Sequence, residues 1–243
     1  PFFHTCSTES LESSDTTAKS ASAAITDGRE PLAVFTLEAG LTHSETVLPM
    51  IKTALDSLHM TAHDIDLFAV TAGPGSFTGV RIGISEIKGL AFATGKPCVG
   101  VSTLLSLAYN LRPLCEDAIL CPVMDARRNQ LYNALFRLES GVLTRLCEDR
   151  LVSLSDLTAE LAGYDEPVYS AGDGYALLKK AAAIADTPRL LIPQSGYSTA
   201  LLALDTYENA SDKSIFSDSA LLPVYLRASQ AERELAEKEQ AAK

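Results

Sequence analysis

The densest run of residues able to do chemistry is Gly73-Pro74-Gly75-Ser76-Phe77-Thr78-Gly79, set between an apolar stretch and a periodic one. Its G-x-G-x-x-x-G spacing describes a backbone turn that could approach a pyrophosphate, the first requirement of a dinucleotide site. Such a site also needs an acid about 20 residues further on, to hold a ribose. The matching region, Lys96-Pro97-Cys98-Val99-Gly100, has none. No Gly-Lys-Ser/Thr follows the glycines, which excludes a Walker loop. A nucleophile elbow is excluded as well, because Pro74 and Thr78 stand where Ser76 would need glycines. Two readings remain: a tight turn with a helix cap, or an anion resting on the helix N-terminus.

Other reactive residues are scattered. His4, His43, His59 and His63 form no HxxxH or HExxH pair, so a metal would need ligands converging from distant segments. Cys6, Cys98, Cys115, Cys121 and Cys147 lack any CxxC or zinc spacing and read as reduced thiols of a cytosolic protein. Asp125-Ala126-Arg127-Arg128 places an acid and two bases at a strand end, a salt-bridged turn or a functional constellation. Gly172-Asp173-Gly174 serves equally as a strand–helix turn or as the lining of a nucleotide cleft.

The element that must position the glycine run is the helix after it. Val80, Ile84, Ile87 and Ala91 repeat at helical spacing and suit packing onto a sheet. A second stripe, Ile82, Ser85, Gly89 and Ala93, consists mostly of small residues. A helix covering one sheet needs one apolar face, and this one has two. Glycine inside a helix costs about 1 kcal/mol against alanine, so Gly83 and Gly89 call for an offsetting contact, the close approach of another helix. The spacing predicts a docking element.

Length and charge bound the remaining options. The 243 residues, 47% of them hydrophobic, suit one large or two small domains. No run reaches the roughly 18 apolar residues of a membrane helix, and no secretory signal is expected. A net charge of −11 makes the chain a poor stand-alone binder of nucleic acid.

In chain order, residues 1–10 match no element. Strands are expected at Ser20–Thr26 and Pro31–Ala39, joined at Asp27-Gly28, a hairpin signal. Thr42-His43-Ser44-Glu45 has the form of a capping box. The helix after it carries Val47, Leu48, Ile51, Leu55 and Leu58, with Pro49 expected to kink it or delay its start. A strand at Ile65–Ala72, the two-faced helix, a strand at Pro97–Ser102 and a helix at Thr103–Leu111 complete the first half. The second half repeats the order: strands near Ala118–Asp125, Gln130–Leu138 and Leu143–Leu151, a helix at Ser155–Leu161, a strand at Pro167–Ala171 and a helix at Tyr175–Ala185. A last helix, Thr199–Tyr207, is placed back on the first half, and the charged tail 228–243 is expected to fray. The expected architecture is α/β, with lobes at residues 1–104 and 105–227.

The block Thr71 to Gly83 closely resembles the TsaB (YeaZ) family, dimerisation subunits of the bacterial complex that forms threonylcarbamoyladenosine beside the tRNA anticodon. Leu11-Glu12-Ser13-Ser14, Thr42-His43-Ser44-Glu45, Gly95-Lys96-Pro97, Met124-Asp125-Ala126-Arg127 and Pro223-Val224-Tyr225-Leu226-Arg227 agree with it. The resemblance implies a two-lobed actin-like ATPase (ribonuclease H-like) fold, each lobe a mixed five-stranded sheet with helices on its faces. It implies a TsaD-like catalytic partner, a TsaE-like ATPase, a homodimer when the chain is alone, tRNA met only through the complex, and a cytoplasmic location.

The partner surface expected from it comprises Val47, Ile51 and Leu55 on one helix and Ile82, Gly83, Ser85, Glu86, Gly89 and Ala93 on the next. A nucleotide cleft, if used, falls to Glu12, Ser13, Ser14, Gly73, Gly75 and Ser76. In actin-like ATPases the first of these turns carries an Asp and a Gly; Glu12–Thr17 has no Gly to let phosphate approach. No cofactor is expected of this subunit, ATP or ADP belonging to a site shared in the complex. Catalytic relatives hold metal on an Asn-His-x-x-x-His segment, where this chain has Thr103 and Leu107 in place of both imidazoles. The expectation is therefore a non-catalytic scaffold, against the alternatives of an actin-like ATPase and a glycoprotease-like metallopeptidase.

Overall fold

The computed structural model describes residues 4–10, 20–38 and 43–227, with side chains described for 20–38 and 47–227. The first half forms one mixed sheet from β1 (His4–Ser10), β2 (Ala21–Asp27), β3 (Glu30–Leu37), β4 (Leu67–Gly73) and β5 (Cys98–Ser102). Its five strands lie in the order β3-β2-β1-β4-β5. β1 runs antiparallel to β2 and parallel to β4. The stretch that matched no element in the sequence is thus the middle strand. His4–Ser10 contains no apolar run, but a strand paired on both edges is held by its backbone ladder.

Two helices, α1 (His43–Ser57) and α2 (Phe77–Thr94), cover one face of this sheet. The alternation along β4 explains why both faces need cover. Phe68 and Val70 point into a cluster with Ile51, Ile84 and Ile87. Leu67 and Ala69 point the other way, into a cluster with Val99, Val101 and Ala203. α1 runs through Pro49 from a start at His43, so the proline does not delay the helix. Val47, Ile51 and Ala54 on its inner side bury enough surface to tolerate the bond a proline cannot donate. The capping box proposed for Thr42 and Glu45 lies outside the described side chains.

The second half opens with α3 (Thr103–Leu111). The three long strands expected there are each broken in two: β6 (Ala118–Leu120) and β7 (Val123–Asp125), β8 (Gln130–Asn133) and β9 (Phe136–Glu139), β10 (Val142–Arg145) and β11 (Arg150–Ser153). With β12 (Val168–Tyr169) they make a four-stranded sheet, β10-β9-β6-β12, and a three-stranded one, β11-β8-β7. This corrects the single five-stranded sheet expected of that half. Pro122 has no N–H to carry a ladder from β6 into β7. Residues on either side stay beside one neighbour, since the Ile119, Cys121 and Val123 amides donate to the Pro167, Tyr169 and Ala171 carbonyls.

α4 (Leu154–Leu161) and α5 (Tyr175–Ala181) pack beside Ile119, Val123 and Leu131 through Leu157 and Leu178. α5 is shorter than the sequence period implied. α6 (Gly196–Asn209) lies on the first sheet, on the face opposite α2. Its start presses so closely on β2 that a Cβ at Gly196 would stand 3.0 Å from the backbone of Ala23 and Ala24. The Gly196 amide donates to Ser22 Oγ at 2.9 Å.

Candidate protein-docking face

α2 is fixed at both ends. Ser76 Oγ accepts from the Gly79 amide at 3.4 Å, and Gly95 closes the helix in the left-handed region, its amide donating to the Ala91 carbonyl. Val80, Ile84, Ile87 and Ala91 are buried against the sheet. The other side is not covered by any described residue. Ser85, Gly89 and Ala93 are exposed, Ile82 is half-buried, and Phe92, one helical step from Gly89, is 78% exposed. Among the described residues, no atom outside the adjacent backbone of α2 lies within 4 Å of where a Cβ would stand on Gly89. The fold of this chain therefore gives no reason for a glycine there. Gly83 is buried instead and belongs to the chain's own packing.

Glu86 sits between the two sides. Among the described residues its Oε2 is sealed from solvent without a hydrogen-bond partner, and burial pushes the carboxyl up to about 7. A carboxyl group left in this state loses the solvation its charge needs without gaining a donor in exchange.

The α1 contribution differs from expectation. Val47, Ile51 and Leu55 are 1%, 1% and 8% exposed and sit in the chain's own core. They cannot line an outer surface, because the apolar face of α1 is spent on the sheet. The side chain α1 does offer is Leu48, 48% exposed. Leu48 counts among the apolar residues of its helix and Phe92 falls outside both stripes of α2, so spacing alone assigns neither to the outer surface. A large residue standing outside its helix's inner stripe was the available signal.

The glycine turn is explained by the C-terminal segment 221–227. The Val224 amide donates to the Ala72 carbonyl at 2.7 Å, extending the edge of β4. A Cβ on Gly73, at φ +117°, would overlap the Val224 carbonyl oxygen. Tyr225 stacks on Phe77 with ring centroids 4.7 Å apart, and Arg81 donates to Tyr225 Oη at 2.8 Å while lying 3.9 Å over the Phe77 ring. Lys88 Nζ donates to the Leu221 carbonyl at 3.3 Å. The backbone approach that sequence reasoning offered to a phosphate at Gly73 is taken by Val224 of the same chain, and Ser76 is used as the helix cap. Gly75 is half-buried in the same turn. Glu12, Ser13 and Ser14 lie outside the described residues.

The remaining candidates resolve into packing. Thr103 is buried at the start of α3, and Leu107 lies in the second core with Leu104 and Phe136. A hydroxyl and an isobutyl group do not fit a metal held by two imidazoles. His59 and His63 are both exposed in the connection between α1 and β4, His63 within the 3-10 turn Ala62–Asp64. The side chains of His4 and His43 lie outside the description. Asp125 and Asp173 do come together, since Asp173 Oδ1 accepts from the Asp125 amide at 2.7 Å. Burial pushes the Asp173 carboxyl up to about 6. Gly172, at φ +101°, would strike the Val123 carbonyl if it carried a Cβ. That makes Gly172–Gly174 a close-packed strand–helix turn. Cys98 is buried and its thiol is pushed up to about 11, an unreactive core thiol.

The pattern of the family described as "TsaD: tRNA N6-adenosine threonylcarbamoyltransferase" matches residues 35–218. The tRNA threonylcarbamoyladenosine biosynthesis protein TsaB of Bacillus subtilis is 36% identical over 138 residues, 57% of this chain and 59% of its own. The protein of the same description from Escherichia coli is 38% identical over 101 residues, 41% of this chain and 44% of its own. The chain thus spans less than two thirds of the length of these curated relatives. A crystal structure of a Pseudomonas aeruginosa protein similar to peptidase YEAZ superimposes with a TM-score of 0.74 at 23% identity, covering 93% of this chain and 100% of that one. A second structure, YeaZ from the same organism, gives 0.71 at 23% identity over 92% and 100%. These two establish the mixed α/β fold. With the family pattern covering more than half of its length, the chain belongs to the TsaD family and, within it, to the TsaB (YeaZ) proteins.

Proposed function

We propose that the chain is a non-catalytic scaffold subunit. It binds and supports a TsaD-like transferase in forming threonylcarbamoyladenosine on tRNA. The observation that carries this is the uncovered side of α2, where Phe92 is 78% exposed beside a glycine whose missing side chain faces open space. An apolar patch punctuated by small residues favours the close approach of a second helix. The docking surface is Ile82, Ser85, Glu86, Gly89, Phe92 and Ala93 on α2, with Leu48 on α1. In this reading the two halves correspond to the lobes of an actin-like ATPase fold, and α1 and α2 meet the equivalent helices of the partner. The same face forms a homodimer when the partner is absent.

Two features support a scaffold over an enzyme. Thr103 and Leu107 supply no metal ligand, and Gly73 is closed by Val224. ATP or ADP, where one is used, sits at a site the complex shares, with a TsaE-like ATPase as a further partner. The tRNA is reached through the complex, in keeping with a net charge of −11. No helix among the described residues is long and apolar enough to cross a membrane.

The test is Gly89→Arg. Replacing a helical glycine raises helix propensity by up to about 1 kcal/mol, so the isolated chain should melt no earlier than wild type. Titrated against a purified TsaD-type transferase, the variant should lose binding. Unchanged binding with an intact fold would refute the proposal. Gly83 is unsuitable for this test because it is buried.

A further inference from the structure

We infer that the second half of the chain carries a binding site for a small organic phosphate of nucleoside mono- or diphosphate size, held by Arg128 and Arg227 without a metal ion. The site is an open groove of about 950 Å³ between the β7–β8 turn, α4 and the C-terminal segment. That volume lies within the range of small-molecule sites, about 300–1,000 Å³. It shares no residue with the α2 face or with the Gly73 turn.

Three observations define the ligand. First, both guanidinium groups are free of carboxylates: neither joins any ion pair among the described residues. In a chain of net charge −11, two arginines on one cavity with no carboxylate partner among the described residues invite an anion. Second, their placement is built. Arg127, Arg128 and Asn129 occupy the left-handed region in succession, at φ of 66°, 55° and 57°. This sharp turn is tied to α4, whose Leu154 amide donates to the Asn129 carbonyl at 2.9 Å. Arg227 is brought in by the segment that crosses Gly73, and its Nη1 donates to the Ala126 carbonyl at 2.9 Å. Three consecutive non-glycine residues at positive φ are costly and persist where surrounding structure holds them.

Third, the wall is of two kinds. Ser155 brings a hydroxyl, bonded to that of Ser153 at 2.9 Å; Ser153 also caps α4 and Thr158 donates to the Leu154 carbonyl, while Leu154, Ala159, Ala162 and Ala181 make an apolar side. Guanidinium groups beside a hydroxyl suit a phosphate, and the apolar side suits a flat or hydrocarbon body attached to it. Among the described residues no Asp or Glu lines the cavity, so this wall offers no carboxylate to share a magnesium ion with a triphosphate.

Calorimetry on the full chain in EDTA tests the assignment, with ADP, adenosine and inorganic pyrophosphate as probes. ADP should bind at least tenfold more tightly than either fragment. Arg128→Gln should weaken ADP at least tenfold while leaving the melting curve in place. Ala159→Trp, which fills the apolar side, should weaken ADP and spare pyrophosphate. The inference is overturned if ADP gives no binding, if binding requires magnesium, if pyrophosphate equals ADP, or if both variants bind as wild type. Gly89→Arg should bind ADP normally, so failure here and failure of the docking proposal are separate results.

Discussion

Replacing Glu86 with Gln should stabilise the isolated chain at alkaline pH and not at acidic pH. Glu86 has one oxygen sealed from solvent with no donor among the described residues, and burial pushes its carboxyl up to about 7 in the fold against an ordinary 4.5. The folded state therefore prefers the neutral form. As pH rises past 4.5 the unfolded chain ionises this group while the folded chain resists until about 7. Stability is lost across that window and the penalty is constant above it. The gap corresponds to a ceiling of roughly 3 kcal/mol. Glu86 is only half-buried, so solvent screening reduces the effect to about 1 kcal/mol. Gln has nearly the same shape and no charge to desolvate. Urea unfolding of both proteins at pH 5.0 and 8.5, at a dilution where each sediments as a monomer, isolates the effect. The stability difference, Gln over Glu, should be about 1 kcal/mol larger at pH 8.5 than at pH 5.0. An equal difference at both pH values, or a larger one at pH 5.0, would refute the claim that burial of an unpaired carboxyl raises its pKa.

Other perturbations test the contacts that hold α2, the C-terminal segment and α6 on the first sheet. Gly73→Ala drives a Cβ into the Val224 carbonyl at a backbone φ of +117°, and should cost about 2 kcal/mol in urea unfolding while freeing the C-terminal segment to proteolysis. Tyr225→Ala removes the ring stacked on Phe77 and the acceptor of the Arg81 hydrogen bond; a loss of about 1 kcal/mol is expected. Gly196→Val forces side-chain atoms into β2, whose backbone already lies 3.0 Å from a Cβ at that position. It should lower stability by about 2 kcal/mol or more, read by thermal unfolding.

The parts of this architecture legible in the sequence were those with a strong period or a strong punctuator. The inner stripe of α2, Val80 to Ala91, and the Asp27-Gly28 hairpin both follow from local rules. β1 was invisible because its seven residues, His4–Ser10, carry no apolar pattern, and its place is set by pairing with β2 and β4. The second-half strands were read too long because apolar residues continue across Cys121-Pro122 and Ala134-Leu135, where the ladder changes partner.

The candidate site was half legible. Gly89 and its neighbours stand on the outer side of α2, whereas Val47, Ile51 and Leu55 turned inward. Periodicity identifies an apolar face but not what it meets. The role of Gly73 depended on a contact with Val224, about 150 residues away in sequence, which no local rule could supply.

The central claim is that a second protein covers the outer side of α2, and Phe92 reports on it directly. Hydroxyl-radical footprinting of the chain alone and with a saturating TsaD-type transferase would measure the oxidation rate of Phe92, 78% exposed in the free chain. The account predicts strong protection of Phe92 in the complex, with Leu190, 89% exposed and far from α2 in sequence, unchanged. Phe92 oxidised at the same rate in a complex shown to have formed would contradict it.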